Sequence, residues 1–422
     1  MRVEIDVFST GTDGRVFLSW TPVPATARLL DGPGGQQAVE IELRSTGSKG
    51  QVVFETFKTH RGTPSLRLSM PGDGSPVRFW VAGDFGSPSE KFGDAVITAI
   101  GVSNGAELAT VEAMVRVRKS ANALTVAERD RLVDAFGKLN ARGAGRFTDF
   151  RTMHIRGTLD ESHGNYGFLP WHRAYLLDLE RELQALVPEV ALPYWQFNKP
   201  APNVFTREFL GVANSVGRLE FSNGHPFNDW GTDSGIGILR SPDFDTAQAP
   251  PDLKDEDATV GFGDGVFANF SYFNENDLGR SGIELDPHGY AHTSFSGWIR
   301  RPPTAPKDPL FFLLHCNVDR LWAKWQWFYK RHADTDPKSF PQGNNFRIGH
   351  NLNDTMWPWN GLTGDPRPPA APGGTLAPSP LTTAPGNSPK VRSMLDFQGV
   401  QGGPHQGFDY DDVPFEIADA VS

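Results

Sequence analysis

The chain has 422 residues, enough for two domains, and carries 50 acidic against 40 basic side chains, a net charge of −10. That balance gives no electrostatic footprint for nucleic acid or an anionic membrane surface, and it points to a small neutral or cationic substrate. One cysteine, Cys316, excludes an intramolecular disulfide framework; no apolar run approaches the roughly 18 residues of a membrane span, and the alternating start Met1–Val7 lacks a signal peptide's apolar core, so the expected location is cytoplasmic.

Residues 1 to about 117 read as strands. Val3, Ile5 and Val7 alternate with polar residues, Val16-Phe17-Leu18-Ser19-Trp20 follows a Gly/Asp turn, and Ala38–Leu43 and Gln51–Phe54 repeat the pattern. Val77–Val81 and Ala95–Ile100 extend it, with Gly, Pro, Asn and Asp clusters between. Short strands at this spacing predict an antiparallel β-sandwich. His60, in a polar loop there, reads as a surface residue. Thr125 with Glu128 three residues on is a capping-box signature, and apolar spacing continues to Leu139. A helix therefore opens the second domain, with the boundary near 118 to 124.

Three histidines follow at intervals of nine, His154, His163 and His172, and the last opens an amphipathic segment with Leu176, Leu177, Leu179, Glu180 and Leu183. After Pro193-Tyr194-Trp195 comes an irregular tract to about 282, long enough to shape a site or cover a surface. Its His225 has no motif partner and reads as structural. His288 and His292 stand at i and i+4, which on a helix projects both from one face. A second strong helix spans 308 to 332, with Phe311, His315, Asp319 and Trp322 on one face. Three plus three histidines suggest two metals, and the echo between Phe168–Arg173 and Phe312–His315 suggests helix pairs facing each other in a four-helix arrangement. After Pro337 the chain is rich in Pro and Gly and is expected to wrap the second domain, with His350 and His405 structural.

The segments Phe168-Leu169-Pro170-Trp171-His172-Arg173, Pro287-His288-Gly289-Tyr290-Ala291-His292 and Asp308 to Trp322 together resemble the tyrosinase and polyphenol oxidase family of binuclear, type 3 copper proteins. The resemblance covers about residues 118 to 412. It leaves residues 1–117, read above from their strand pattern as a β-sandwich-like accessory domain, unexplained; for 118–412 it implies a mainly α dicopper domain that includes the wrap from about 337, and a tail follows at 413–422. It also implies Arg118 packed near Phe408-Asp409-Tyr410. Two copper ions are expected, one on His154, His163 and His172 and one on His288, His292 and His315. Neutral imidazole suits both oxidation states of copper.

The same resemblance implies oxidation of o-diphenols, and hydroxylation of monophenols, to o-quinones with dioxygen. It leaves room for a copper-delivery partner. Glu284 occupies the position of a glutamate that holds a water near the second copper and helps deprotonate a phenol. Asp319, one turn beyond His315, is expected to accept an imidazole N–H or to pair with Arg320 or Arg331. Gly289 stands where proficient phenol hydroxylases have Asn, Thr293 where several bacterial relatives have Arg, and Pro302 where some catechol oxidases have a bulky Phe over the first copper. No cysteine is placed to form the Cys–His thioether of fungal and plant members. The open position at Pro302 argues for monophenol access; the missing Asn argues against deprotonation. An oxygen-binding protein like molluscan hemocyanin and a redox-silent zinc relative are the alternatives.

Overall fold

The computed structural model describes the chain except residues 32–36, 59–61, 156–158, 252, 263–264, 275–281, 366 and 417–422, so His60 lies outside the described residues. The chain divides into two compact units: Met1–Val117 with Pro378–Ala384 and Phe397–Ser422, and Arg118–Ala377 with Pro385–Asp396. The Pro/Gly-rich stretch after 337, expected to stay with one domain, is thus shared between two. Among the described residues no helix is long and apolar enough to cross a membrane.

The first unit is built from β1 (Val3–Val7), β2 (Val16–Leu18), β3 (Val23–Leu29), β4 (Val39–Ser45), β5 (Val52–Glu55), β6 (Ser65–Met70), β7 (Val77–Gly83), β8 (Ala95–Gly101) and β9 (Glu107–Val115). They form a four-stranded sheet in the order β1-β3-β7-β5 and a five-stranded sheet in the order β2-β9-β8-β4-β6. Alternation decides which side chains are buried: in β3, Val23, Ala25, Ala27 and Leu29 enter the core while Arg28 is exposed. The pairing is antiparallel as expected except for β2 beside β9, which run parallel. Three strands lack a clear sequence signature. β3 has small alanines and Pro24, whose missing N–H is harmless because β1 ends at Val7, opposite Ala25.

The C-terminal pieces complete this core. Leu381, Val400 and Phe415 lie in the same buried cluster as Val81 and Ile97. Trp20 Nε1 donates to the Tyr410 carbonyl at 2.8 Å. The buried Asp409 carboxylate accepts from Thr21 N at 3.1 Å and Gln398 Nε2 at 2.7 Å, and burial pushes it up to about 6 despite these donors. Phe408 stacks on Phe397 with centroids 5.1 Å apart.

The second unit is mainly helical: α1 (Val126–Asn140), α2 (Phe147–Met153), α3 (Leu159–Ser162), α4 (Phe168–Leu186), α5 (Glu256–Val260), α6 (Phe270–Asn274), α7 (Tyr290–Thr293) and α8 (Leu310–Tyr329). The capping box at α1 is present, with Thr125 N donating to Glu128 Oε2 at 2.9 Å and Glu128 N to Thr125 Oγ1 at 3.3 Å. Nearly every residue of α4 and α8 is buried, which marks them as central helices. Buried charges on such helices require partners. Arg173 Nε donates to Asp319 Oδ1 at 2.6 Å, tying α4 to α8, and Arg118 reaches Glu180 at 2.8 Å and Asp319 Oδ2 at 3.2 Å. Arg240 and Asp308 form another buried pair at 2.7 Å.

Candidate metal centre

Local structure delivers the six histidines to one place. His154 caps the C-terminus of α2, His163 lies in the turn after α3, and His172 sits in the first turns of α4. His288 lies in a π-helical turn, Glu284–Gly289, His292 in the short α7, and His315 in α8. The i, i+4 pair therefore sits on a widened turn that runs into a four-residue helix, not on one long helix. Both rings still converge. One ring nitrogen of each of His154, His163 and His172 lies within 4.8 Å of the others, and the same holds for His288, His292 and His315.

The rings are aimed from behind. His154 Nδ1 donates to the Pro302 carbonyl at 2.9 Å, His172 Nδ1 to Phe168 at 2.8 Å, His288 Nδ1 to Glu284 at 2.6 Å and His292 Nδ1 to Ile299 at 2.7 Å. A carbonyl can only accept, so each of these rings carries its proton on Nδ1 and presents an Nε2 lone pair. Those lone pairs face each other: His154 and His172 Nε2 are 3.4 Å apart, and His315 Nε2 lies 3.3 Å from His288 and 3.2 Å from His292. Close-set lone pairs repel unless a cation lies between them. His163 Nδ1 meets the Ser162 hydroxyl at 2.9 Å, and His315 Nδ1 has no hydrogen-bond partner among the described residues.

Burial keeps the imidazoles neutral. It drives His154 down to about 3 and His292 to about 4, and takes His163, His172, His288 and His315 well below the ordinary histidine value, helped by the charge each would feel from its neighbours. Neutral nitrogen donors with no carboxylate in either triad fit a metal pair of the copper type. The rings of His172 and His315, one from each triad, stack at 4.2 Å and 9°.

Two phenylalanines wall the centre. Phe311 packs against His154 at 4.9 Å and His315 at 4.2 Å, and Phe168 against His172 at 4.8 Å and His288 at 4.9 Å. Both are fully buried and give each triad an apolar wall. Their runs were visible in the sequence as apolar faces. The carbonyl roles of Pro302 and Ile299 were not visible, because a main-chain acceptor leaves no signature in residue type.

The remaining candidates are placed as follows. Glu284 accepts the Gly164 N–H at 2.7 Å through Oε1, so its side chain reaches the residue after His163 while its carbonyl orients His288. Gly289 has ordinary right-handed helical geometry, φ −59° and ψ −38°. Thr293 is exposed; its hydroxyl donates to the Gly289 carbonyl at 3.1 Å, and Arg300 donates to its carbonyl at 2.7 Å. Pro302 is exposed. Asp319 departs from expectation, because none of the six Nδ1 atoms bonds to it and its carboxylate is engaged by Arg173 and Arg118. The reason is charge: burying two guanidiniums beside α8 needs a carboxylate more than a neutral ring does. Arg118 joins this network through Asp319 and Glu180. His225 stacks on Phe221 at 4.7 Å, and the Cys316 thiol is buried against the Leu192 carbonyl at 3.3 Å, both structural as expected.

Two tri-histidine clusters on a helical frame define a binuclear metal protein. Residues 144–328 match the common central domain of tyrosinase. The chain is 30% identical over 268 residues to a tyrosinase of Streptomyces antibioticus, covering 58% of this chain and 94% of the relative. It is 31% identical over 265 residues to a tyrosinase of Streptomyces glaucescens, covering 58% and 92%. Among solved structures, deoxygenated hemocyanin from Rapana thomasiana superposes with a TM-score of 0.47 at 21% identity over 71% of this chain and 70% of that one. The chain belongs to the tyrosinase and polyphenol oxidase family of type 3 copper proteins. It is a type 3 copper oxidase, and its two histidine triads could form the sites for the two copper ions of that family.

Proposed function

We propose that the protein oxidises o-diphenols to o-quinones with dioxygen as its main activity and hydroxylates monophenols weakly. His154, His163 and His172 hold one copper in this reading, and His288, His292 and His315 the other. In the same reading α2, α4, the 284–293 stretch and α8 are the four histidine-bearing helical segments around the pair. Copper supplies the one-electron redox chemistry that no side chain here can. The protein's own groups present neutral lone pairs, fix each ring through its far nitrogen and wall the centre with Phe168 and Phe311. Each o-diphenol gives up two electrons and two protons, and dioxygen is reduced to water.

The observation that carries the preference for o-diphenols is the engagement of Glu284. Its carboxylate already accepts the Gly164 amide, and Gly289 offers no side-chain amide to help it hold a water. A monophenol must lose its proton to a base at the site, whereas an o-diphenol is more readily ionised and needs that base less. Oxygen uptake by the copper-loaded protein with a catechol and with L-tyrosine in parallel tests this. Catechol turnover well above tyrosine turnover is expected. Equal turnover refutes the preference, and two bound coppers without turnover of either refutes the enzymatic reading in favour of an oxygen carrier.

A further inference from the structure

His163 is held differently from the other five site histidines. Those five are buried, whereas His163 is half-buried in a turn between α3 and α4. Its Nδ1 leans on a side-chain hydroxyl, Ser162 Oγ, and not on a carbonyl of regular structure. The turn also contains Gly164 at φ +70°, a backbone state that no helix or strand stabilises. Something outside the turn must fix it.

His350, distant in sequence and 1% exposed, does so at both ends. Its Nδ1 accepts the Gly167 N–H at 2.8 Å, and its Nε2 donates to the Asp160 carbonyl at 2.7 Å. Because an amide N–H only donates and a carbonyl only accepts, the two partners fix a single neutral tautomer with the proton on Nε2. The approach is close enough to demand glycine: a Cβ on Gly167 would lie 3.0 Å from His350 Nδ1 and 2.5 Å from the Gly349 carbonyl. Neighbouring contacts pin the middle of the turn. Arg347 Nη1 donates to the Gly164 carbonyl at 3.1 Å, Glu284 accepts the Gly164 amide, and Arg367 pairs with Glu161 at 2.5 Å.

We propose that His350 is a positioning residue for the first copper: it staples Asp160 to Gly167 and so sets where the His163 ring points. The inference rests on the reading of the two triads as a copper pair. It assigns a site role to a histidine whose sequence context showed only packing. The staple bears mainly on the first triad: among the described residues the turn touches the second through Glu284 and through Phe168 against His288, while His288 and His292 are aimed by the Glu284 and Ile299 carbonyls. Weakening it therefore releases one copper and spares the other.

The test uses the full chain, loaded with copper, in wild-type form and as His350→Phe and His350→Asn. Phe keeps a ring but removes both bonds; Asn keeps an oxygen near the Nδ1 position to accept from Gly167. Wild type must first bind two coppers per chain with the oxidised pair silent in electron paramagnetic resonance, as coupled Cu(II) ions are; failure there sinks the copper reading itself and is seen before any variant is made. Given that control, His350→Phe is expected to lose one copper to a competing chelator about 10–100-fold more readily than wild type, the usual cost of removing a group that orients a metal ligand. The copper that stays becomes visible as an uncoupled Cu(II) signal, and His350→Asn falls between the two. If His350→Phe does not fold, His350→Asn alone decides by whether one copper and not the other becomes labile. Two coppers retained at wild-type chelator resistance, or both lost together without an uncoupled signal, overturns the proposal.

Discussion

Replacing Asp319 by Ala separates two accounts of that residue. The carboxylate lies between Arg173 Nε at 2.6 Å and Arg118 Nη1 at 3.2 Å, with all three side chains at most 2% exposed. Removing it takes a shared counter-charge away from two buried guanidiniums, of which Arg118 still pairs with Glu180. Breaking such a pair costs about 3–5 kcal/mol. Part of the loss is softened, because Arg173 keeps Gln326 Oε1 at 2.9 Å, the Met394 carbonyl at 2.7 Å and the Trp322 ring at 3.6 Å, while Arg118 keeps Glu180. These are neutral acceptors and a ring face, which solvate a guanidinium without cancelling its charge. A loss of about 3 kcal/mol is therefore expected for Asp319→Ala, and less for Asp319→Asn, which retains an acceptor. Against a typical total of about 5–15 kcal/mol this is a large fraction. Urea unfolding followed by tryptophan fluorescence, which sums over the 11 tryptophans, measures it. A loss under about 1 kcal/mol would refute the reasoning. So would normal stability with weakened copper binding, the result expected if Asp319 oriented an imidazole.

Two further outcomes follow from the same geometry. Gly289→Asn is sterically permitted, because its φ and ψ are ordinary and a Cβ there meets Glu284 O at 3.5 Å and Leu285 Cδ1 at 3.6 Å; the added amide is expected to raise the tyrosine-to-catechol turnover ratio roughly tenfold, part of the effect of a well-positioned base, and an unchanged ratio in parallel oxygen-uptake assays refutes it. The copper-free protein should be acid-labile: His154 and His292 titrate near 3 and 4 in the fold but near 6.5 when unfolded, so the unfolded chain binds protons first as pH falls. Their contribution is complete above about pH 6.5 and is lost below it by about 1.4 kcal/mol per pH unit per histidine, so by about 2.8 kcal/mol per pH unit for the two until pH nears 4. Urea midpoints that stay flat between pH 7 and pH 5 would refute that, and bound copper should oppose the loss, since its ligands must be deprotonated.

The parts of the molecule legible in the sequence are those written in side-chain periodicity. β1, β4, β7 and β8 alternate, α1 announces itself with Thr125 and Glu128, and α8 carries a dense apolar run, Leu310 to Leu314, leading into His315. What escaped is written elsewhere. β9 alternates weakly, since its first half carries Glu107, Thr110 and Glu112 near solvent and only Ala113, Met114 and Val115 are buried. The return of Leu381, Val400 and Phe415 to the first unit's core is a contact between distant residues, with no local pattern to reveal it. The six histidines could be read because chemistry demands their residue type. The Asp319 partners Arg173 and Arg118 could not, because a buried carboxylate goes to whichever cations the fold brings near it, and these two lie far from it in sequence. Arg320 instead faces Glu256 at 2.9 Å.

The holds behind the six rings divide by kind, and the division bears on where the site can vary. Four rings are aimed by main-chain carbonyls at Phe168, Glu284, Ile299 and Pro302, which a substitution at those positions leaves in place so long as the backbone does not move. His163 depends on side chains: the Ser162 hydroxyl behind its ring, Glu284 and Arg347 on Gly164, and His350 at the ends of its turn. Several hydrogen bonds from separate segments thus hold this one turn, and losses among contacts that share it do not add independently. Substitutions that reach a ring through side chains are therefore concentrated in the His163 turn, whereas His288 and His292 of the second triad are held by main-chain acceptors.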